Sequence, residues 1–275
     1  MIIDAHQHFW DPGRGDYGWL RPDMALHRVY LPADIEPLLR ANGVDGTILV
    51  QAAPTAAETD YLLGIAQHTS WVKAVVGWVA LDTPQAPDEI ARLARMDGFA
   101  GLRPMLQDIE DPRWILRDEN AAGLEAVGAN DLVFDALIRA DQLAVLDALL
   151  TGHPDLTVVL DHAAKPPFGD SRGLKAWACD IARAARHANL HCKVSGLLTE
   201  LPKTGEQRLV TDCINRLLDL FGPERLIWGT DWPVLTLAGS YAPWKRMVAE
   251  ILAVHPQSVC DAVMGGNACR VYRLS

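Results

Sequence analysis

Short apolar runs alternate with longer stretches of helical periodicity, and this alternation constrains the fold more than any other feature of the chain. Each run is rich in Val, Ile and Leu and is bounded by Gly, Pro or Asp. The pattern predicts strands near 2–6, 46–51, 72–79, 99–104, 132–138, 156–161, 190–195 and 225–230. It predicts helices near 33–42, 56–69, 86–96, 113–128, 141–151, 172–188, 206–221, 242–254 and 256–270. The chain is therefore predicted to be an α/β protein.

The predicted strands are nearly continuous apolar runs, which is typical of parallel strands buried on both faces. Eight such strand–helix units in 275 residues predict a (β/α)8 TIM barrel that spans 1–275 as a single domain. A doubly wound open sheet is the alternative. The two differ in the position of their chemistry, because a barrel collects polar side chains from many strand ends and an open sheet concentrates them in one crevice.

Composition narrows the classes of partner. Hydrophobic residues make up 49% of the chain and charged residues 22%, which is enough for a large core. The net charge of −10 repels nucleic-acid phosphates and anionic lipid, so neither nucleic acid nor a membrane surface is an expected partner. A small-molecule substrate is expected instead.

The five cysteines are scattered and form no CxxC pair, which predicts reduced thiols and neither a disulfide framework nor a zinc knuckle. The sequence shows no apolar leader and no run of the ~18 apolar residues that a membrane span requires. These features predict a cytoplasmic protein.

Polar or aromatic side chains occur at the carboxyl end of nearly every predicted strand. In chain order they are His6, His8, Gln51, Trp78, Arg103, Asp135, His162, Lys165, Lys193, Ser195, Asp231 and Trp232. In a parallel barrel these strand ends meet at one rim, which is where the active sites of such barrels lie. The distribution over many strands favours the barrel and predicts a site at that rim.

The segment DAHQHFWDP at 4–12 places two histidines one residue apart, directly after the first apolar run. Side chains at i and i+2 of a strand point to the same side, so His6 and His8 can converge on one ligand. Histidine is the commonest metal ligand and a frequent acid–base group. The alternative is a pair of histidines that merely hydrogen-bond to nearby backbone.

Two further motifs extend this pair. His162 begins DHAAKPPFGD, in which Pro166 and Pro167 prevent a helix, and it is either a structural histidine or a third ligand. Asp231 in GTDWPV follows the last predicted strand. There a carboxylate completes a metal site of three histidines and one aspartate, or acts as a general base.

Arg103 and Lys165 supply positive charge at the same predicted rim. Arg103 in AGLRP either grips an oxyanion or a hydroxyl-rich substrate, or pairs with an acid in 108–111. The prolines that follow Lys165 hold it near the strand mouth. Lys193 and Ser195 lie on one side of their strand, and Lys193 is either a site residue or a buried ion-pair partner.

Residues 9–32 form a long predicted loop that contains Trp10, Tyr17 and Trp19. Loops of this length in a compact domain are usually functional, which predicts a lid over the strand ends. Packing against the barrel rim is the alternative. The chain shows neither GxGxxG after the first strand nor GxxxxGK[ST], so nucleotide binding has no support.

The motifs DAHQHFWDP, GLRP, LDHAAKP, CKVSGLLTE and GTDWPV together resemble the sugar-lactonase branch of the amidohydrolase superfamily. This branch contains L-fuconolactonase-like and L-rhamnonolactonase-like enzymes. The resemblance is collinear from residue 2 to about 234. Each motif alone is modest, whereas five in the same order are specific.

The resemblance implies a distorted (β/α)8 barrel of the amidohydrolase type that hydrolyses a cyclic ester. His6 and His8 match the first-strand pair of the family, His162 its mid-barrel histidine and Asp231 its last-strand aspartate. Members of the superfamily often bind one or two divalent metals. The motif HCKVSG offers no further histidine. One divalent ion such as zinc, held by these four residues, or a metal-independent reaction is therefore expected.

On this basis we expect Asp231 to activate water while His6, His8 and His162 polarise the carbonyl of a sugar lactone, directly or through one Zn²⁺. The residues expected to contact the substrate are Gln51, Arg103 and Lys165, which orient hydroxyls or the carbonyl, and Trp10, Trp78 and Trp232, which stack on the sugar.

Two other functions remain open from the residues. The first is a pyrone-dicarboxylate-type lactone hydrolase or an aromatic acid decarboxylase on the same scaffold. Those substrates carry carboxylates and require several arginines, whereas only Arg103, with Arg14 and Arg21 in the loop, is available near the predicted mouth. The second is a sugar-binding protein without activity, which the nine tryptophans favour.

Overall fold

The strands form one parallel sheet in chain order in the computed structural model, which describes residues 1–274. The eight strands are β1 (Ile3–Gln7), β2 (Gly46–Val50), β3 (Val72–Gly77), β4 (Phe99–Leu102), β5 (Val133–Ala136), β6 (Val158–Leu160), β7 (Leu190–Val194) and β8 (Leu226–Trp228). Each strand pairs in parallel with the next. This sequential order excludes the doubly wound sheet, in which strand order reverses.

Helices lie between the strands and after the last one. They are α1 (Pro32–Ala41), α2 (Ala56–Gln67), α3 (Ala86–Leu93), α4 (Ala121–Ala129), α5 (Leu143–Gly152), α6 (Ser171–Ala184), α7 (Arg208–Phe221), α8 (Tyr241–Leu252), α9 (Gln257–Asp261) and α10 (Asn267–Val271). Helix α7 shows why they form, because it buries Val210, Ile214, Leu217 and Phe221 at spacings of three or four residues.

A seam between β1 and the segment after β8 closes the ring. Gln7 forms a parallel bridge with Trp232. The backbone N–H of His8 donates to the carbonyl of Trp232 at 2.8 Å, and the N–H of Asp231 donates to the carbonyl of His6 at 2.7 Å. The predicted (β/α)8 barrel is confirmed, with a seam that runs through the residues of the first and last motifs.

Side chains of the strands alternate between two cores. Val158 and Leu160 of β6 pack outward against helices, whereas Val159 belongs to the core inside the barrel. The inner core also contains Val271, the last residue of the C-terminal helix α10, and Tyr272, which follows it. The C-terminal segment therefore covers the amino-terminal ends of the strands and leaves the opposite rim open.

Two predicted helices differ from the structure. The helix expected at 113–128 begins only at Ala121, because Asn120 Nδ2 donates to the Trp114 carbonyl at 2.6 Å and holds the preceding residues in short 3-10 turns. The helix expected at 256–270 is interrupted by a π-helical segment, Ala262–Gly266. Gly265 lies there against the backbone of Met1, where a Cβ atom has no room.

The loop at 9–32 is closed at its base by Trp10 and Tyr30, whose backbones exchange hydrogen bonds of 3.2 and 2.9 Å. Its function as a lid stays a prediction. Within the described part of the chain, all five cysteines are free. No helix of residues 1–274 has the length and apolarity to cross a membrane.

Candidate active site

The barrel seam brings His6, His8 and Asp231 together. The backbone hydrogen bond between Asp231 and His6 aligns the two strand ends. The side chains of His8 and Asp231, which are 223 residues apart in sequence, therefore come into contact. The ladder between β1 and β2 shifts register between Asp4 and Gln7. A bulge of this kind changes which side of the sheet the next residue faces. Ala5 and His6, although adjacent in sequence, therefore both lie on the inner side of the barrel.

One oxygen of Asp231 is the centre of the cluster. Its Oδ1 atom lies 3.2 Å from Nε2 of His8, 3.7 Å from Nε2 of His6 and 3.9 Å from Nε2 of His162. The four side chains are all buried, with at most 5% of any residue exposed. The structure therefore brings the three predicted histidines and the predicted aspartate to a single point.

Hydrogen-bond partners fix the hydrogen on His8. Its Nδ1 lies 2.7 Å from the carbonyl of Val50, and a carbonyl oxygen only accepts, so Nδ1 carries hydrogen. A neutral His8 then has a bare Nε2 facing the Asp231 carboxylate. The contact is favourable only when the ring is protonated, or when a cation or water lies against both groups.

The neighbours of both ring nitrogens determine which nitrogen of His6 carries hydrogen. The guanidinium of Arg103 can only donate, and its Nη1 lies 3.2 Å from Nε2 of His6. The Nδ1 hydrogen of His6 consequently faces Oδ1 of Asp161 at 3.2 Å. A carboxylate behind an imidazole raises the basicity of the nitrogen that faces the site.

His162 lies on a left-handed turn. The φ angles of the four residues from His162 to Lys165 are 52°, 50°, 58° and 52°, a conformation that costs roughly 1–2 kcal/mol per residue. Trp177 holds this turn by donating its indole N–H to the Ala163 carbonyl at 2.8 Å. Strain of this kind persists only where surrounding contacts enforce it, and here it directs both His162 and Lys165 toward the site.

A glycine gives His162 its place. Nδ1 of His162 forms a 2.9 Å hydrogen bond with Oγ of Ser195. The next residue, Gly196, has a φ of 63°, and a Cβ atom there would lie 2.6 Å from the same Nδ1. The motif VSG therefore provides both the partner and the space for the imidazole.

A layer of buried charges supports the site from inside the barrel. Nζ of Lys193 lies 2.5 Å from Asp135 and 3.1 Å from Asp161, and all three side chains are fully buried. Asp161 also contacts Nη1 of Arg103 at 3.3 Å, and Tyr272 donates its hydroxyl to Asp135 at 2.7 Å. Lys193 is thus a buried ion-pair partner, and the acid that pairs with Arg103 is Asp161 and not one of those at 108–111.

Burial and neighbouring charges shift the pKa values of His6, His162 and Asp231 in the cluster. Burial lowers the pKa of His6, and it lowers the pKa of His162 to about 4 against the opposing charge of Asp231. Burial alone would raise the pKa of Asp231. The charge of His162 and the hydrogen bond with His8 outweigh that effect, so the pKa of Asp231 lies below its ordinary range.

An open cavity of about 220 Å³ lies above the cluster. Among the residues with a predicted role, His8, His162 and Asp231 line it, together with Arg103, Lys165 and Trp10. A cavity of this size suits a small molecule with several polar groups.

Three residues predicted to contact substrate are not among those that line this cavity. Gln51 is fully buried and turns toward Arg103, donating from Nε2 to its carbonyl at 2.5 Å and accepting from its guanidinium at its own carbonyl. Trp232 packs edge-on against Phe9 and Tyr30. Trp78 lies beside Thr59, whose hydroxyl accepts its backbone N–H at 2.8 Å.

Several lining residues had no signal as site residues in the sequence. They are Ala52 after β2, Met105, Gln107 and Asp108 after β4, Leu137 after β5 and Val234 after β8, whereas Trp19 comes from the loop predicted as a lid. Most come from loops beyond the strand ends, whose path is set by tertiary contacts. A position directly after a strand therefore predicts the residues at the base of the cavity, but it does not predict the loop residues that form its walls.

His6, His8 and Asp231 offer ligand atoms that all lie within 4.8 Å of one another. Two imidazoles and a carboxylate form a donor set that zinc commonly takes. The Nδ1 hydrogen of His8 is bonded to a backbone carbonyl, which is the usual arrangement for a metal-ligating histidine. The residues present therefore fit a divalent ion.

Comparison with known proteins agrees with this geometry. Residues 3–274 match the sequence profile of the amidohydrolase family. The chain is 43% identical over 282 residues to an L-fucono-1,5-lactonase of Burkholderia ambifaria, covering 99% of this chain and 95% of that protein. It is 37% identical to an L-fucono-1,5-lactonase of Burkholderia multivorans, covering 100% of this chain and 96% of the relative.

Solved structures show the same similarity. A crystal structure of an amidohydrolase from Burkholderia multivorans with bound zinc superposes with a TM-score of 0.95 at 35% identity, covering 100% of both chains. The match spans the whole barrel, including the strands that carry the three histidines and Asp231. With its profile match over nearly the full chain and these full-length relatives, the protein belongs to the amidohydrolase family.

Proposed function

We propose that the protein hydrolyses a sugar lactone, such as L-fucono-1,5-lactone, to the aldonic acid. The observation that carries the proposal is the convergence of three imidazole Nε2 atoms on one oxygen of Asp231, at the floor of an open cavity. The two relatives named L-fucono-1,5-lactonase support this substrate class.

In this mechanism Asp231 accepts a proton from the water that attacks the lactone carbonyl. The C–O bond of the ring then breaks, and the ring oxygen takes that proton and becomes a hydroxyl of the product. A carboxylate with a lowered pKa is charged at neutral pH but is a weak base. A strained lactone is easier to open than an amide, so a weak base is sufficient when the developing oxyanion is stabilised.

The guanidinium of Arg103 is the fixed positive group nearest to this reaction. Its Nη2 is held by the Gln51 carbonyl and its Nη1 by Asp161 and His6, so it does not reorganise when charge develops. Gln51 then acts by positioning Arg103. Lys165 and Trp10 line the cavity and are proposed to contact the sugar hydroxyls and ring.

A divalent ion such as zinc would be held by His6, His8 and Asp231, and Nε2 of His6 would then no longer accept a hydrogen bond from Arg103. When bound, zinc supplies Lewis acidity that polarises the carbonyl and promotes loss of a proton from water. The related amidohydrolase with bound zinc supports this choice of metal.

The cavity is less suited to the carboxylate substrates of pyrone hydrolases and decarboxylases. Arg103 and Lys165 are the basic residues among those that line it, and Arg103 already pairs with Asp161. Asp108 adds a negative charge to the wall, which repels a dicarboxylate and can accept hydrogen bonds from sugar hydroxyls.

Acid release from a panel of aldonolactones and pyrone dicarboxylates, with CO2 release measured for aromatic acids, tests the proposal. We expect acid release from L-fucono-1,5-lactone or a close stereoisomer. Activity confined to pyrones or aromatic acids, or sugar binding without turnover, would contradict it.

Zinc binding is tested separately by thermal unfolding of the metal-free protein with added zinc. A site of His6, His8 and Asp231 predicts stabilisation of about 2.7 kcal/mol at 100-fold excess over Kd, lost in His8→Ala. An equal response of wild type and His8→Ala would exclude these ligands.

A further inference from the structure

We propose that Trp19 provides the apolar surface against which the sugar ring lies, and that Glu58 is a positioning residue that fastens Trp19 over the cavity. This inference deepens the proposed function and rests on it for the class of substrate. It concerns the loop at 9–32 and helix α2, neither of which supplies a residue to the imidazole cluster.

Trp19 reaches the cavity from the middle of the loop. Its indole N–H donates to the carbonyl of Ala52 at 2.7 Å, and its ring packs edge-on against Trp10 at a centroid distance of 5.3 Å. Trp19 and Ala52 both line the cavity. Because the N–H already has a partner, the indole offers the cavity its ring carbons, which suit the C–H face of a sugar ring.

Glu58 links the loop to the barrel at Ala52. The carboxylate is fully buried in α2, and its Oε1 accepts the backbone N–H of Ala52 at 3.1 Å. Its Oε2 accepts the hydroxyl of Tyr17 at 2.7 Å. Ala52 is therefore held by Glu58 through its N–H and holds Trp19 through its carbonyl, so Trp19 directly and Tyr17 through Glu58 are both linked to one residue of the cavity wall.

Arg14 adds a third attachment of the loop to α2. Its Nη2 donates to the Ala57 carbonyl at 3.0 Å and lies 3.8 Å from Oε2 of Glu58. The same guanidinium pairs with Asp16 at 2.7 Å within the loop. Loop segment 14–19 is thus bound to α2 through contacts around one buried carboxylate. We name the group formed by Glu58, Tyr17 and Ala52 the catch.

Packing alone does not explain a carboxylate at this position. Burial raises the pKa of Glu58 to about 6, because desolvation disfavours the charged form of this acid. An apolar side chain would fill the same volume without that cost. The carboxylate differs from an apolar residue in that it accepts from the loop and from the cavity wall at once, which sets the position of Trp19.

The test uses Tyr17→Phe, which removes the hydroxyl from the catch, and Trp19→Leu, which removes the aromatic surface. Tyr61→Phe is the matched control, because Tyr61 lies in the same region and contributes its ring under Arg14. Substrates are L-fucono-1,5-lactone and δ-valerolactone, a six-membered lactone without hydroxyls. Loop attachment is followed by the rate of tryptic cleavage at Arg14–Gly15.

We expect KM for the sugar lactone to rise about tenfold in Tyr17→Phe and Trp19→Leu, the effect of about 1.4 kcal/mol, with kcat within about twofold. KM for δ-valerolactone should rise to a similar extent in Trp19→Leu, because its C–H face would lie against the same indole, and Tyr61→Phe should match wild type on both substrates. Tryptic cleavage should accelerate in Tyr17→Phe only. An unchanged KM for δ-valerolactone in Trp19→Leu, or identical behaviour of Tyr17→Phe and Tyr61→Phe, would overturn the inference.

Equilibrium binding of L-fucose, a pyranose ring with no ester bond to open, by calorimetry separates this inference from the proposed reaction, because it requires no turnover. Weaker binding in Trp19→Leu and unchanged binding in Tyr61→Phe supports the inference even if wild type opens no lactone, a result that would reject the proposed function alone. Equal binding in all three proteins overturns the inference while leaving hydrolysis intact.

Discussion

Each imidazole of the cluster is oriented by a partner on its outer nitrogen. Val50 holds His8 through a carbonyl, Ser195 holds His162 through a hydroxyl, and Asp161 faces Nδ1 of His6. The identity of the imidazoles could be predicted from the spacing of the histidines in the sequence. Their partners could not, because Val50 at the end of β2, Asp161 after β6 and Ser195 after β7 are brought beside the imidazoles by the register of the barrel.

Gly196→Ala tests the close approach of the backbone to His162. The added Cβ would lie 2.6 Å from Nδ1 of His162, so the imidazole must move and its bond to Ser195 must break. We expect kcat/KM for the sugar lactone to fall by about 10²-fold, since a misplacement of about 1 Å has effects of this size.

Gly43→Ala is the matched control for that substitution. Gly43 has a φ of 58°, close to the 63° of Gly196, and a Cβ atom added to Gly43 would have no neighbouring atom within 4 Å. Both variants should lose stability of about 1 kcal/mol or more from the left-handed backbone. Activity unchanged in Gly196→Ala, or equally reduced in Gly43→Ala, would argue against the role of the close contact.

At the scale of elements, irregular backbone segments position the side chains of the site. The bulge in β1 directs His6 inward, and the left-handed turn after β6 directs His162 and Lys165 toward the cavity. Apolar periodicity predicted the strands themselves to within a few residues. It carries no information on a bulge or on a left-handed turn of non-glycine residues, which depend on tertiary contacts such as that of Trp177 with Ala163.

The layer of buried ion pairs inside the barrel predicts a large loss of stability for Lys193→Met. The substitution leaves Asp135 and Asp161 buried beside each other without their shared cation. We expect a loss of about 3–5 kcal/mol in the free energy of unfolding, measured by urea denaturation. Adding Asp135→Asn to Lys193→Met should recover part of it, because one uncompensated charge is removed.

Arg246→Met is the control for that experiment. Arg246 pairs with Glu250 at 3.9 Å, and both side chains are more than 70% exposed. Its removal should change the free energy of unfolding by less than about 1 kcal/mol. A similar small change for Lys193→Met would mean that the ion layer contributes little to stability.

Glu58 predicts a specific pH dependence of stability. Burial raises its pKa from 4.5 to about 6, so between these pH values the folded state binds more protons than the unfolded state. The free energy of unfolding therefore falls as pH rises through this window, by about 2 kcal/mol for a shift of this size. Denaturation of wild type and Glu58→Gln from pH 4 to 7 should show the difference between them changing by this amount, and parallel curves would refute the assignment.

At the scale of the whole molecule, the order of the elements in the chain determines the site. The first and last strands meet only because the sheet closes, and closure places His6 and His8 beside Asp231. The barrel, the three histidines and the aspartate could be predicted from the sequence because strand periodicity and strand-end position are local. The cavity walls could not, since Trp19 and Gln107 arrive through loops whose paths are not local.

The account depends most directly on Asp231, and the turnover of Asp231→Asn on L-fucono-1,5-lactone tests it. Asp231 has a φ of 62°, which asparagine also tolerates, so the substitution removes the charge without adding backbone strain. At saturating lactone, with the uncatalysed rate subtracted, we predict a fall in kcat of about 10²–10⁴-fold. Turnover of Asp231→Asn within a few-fold of wild type would contradict the account.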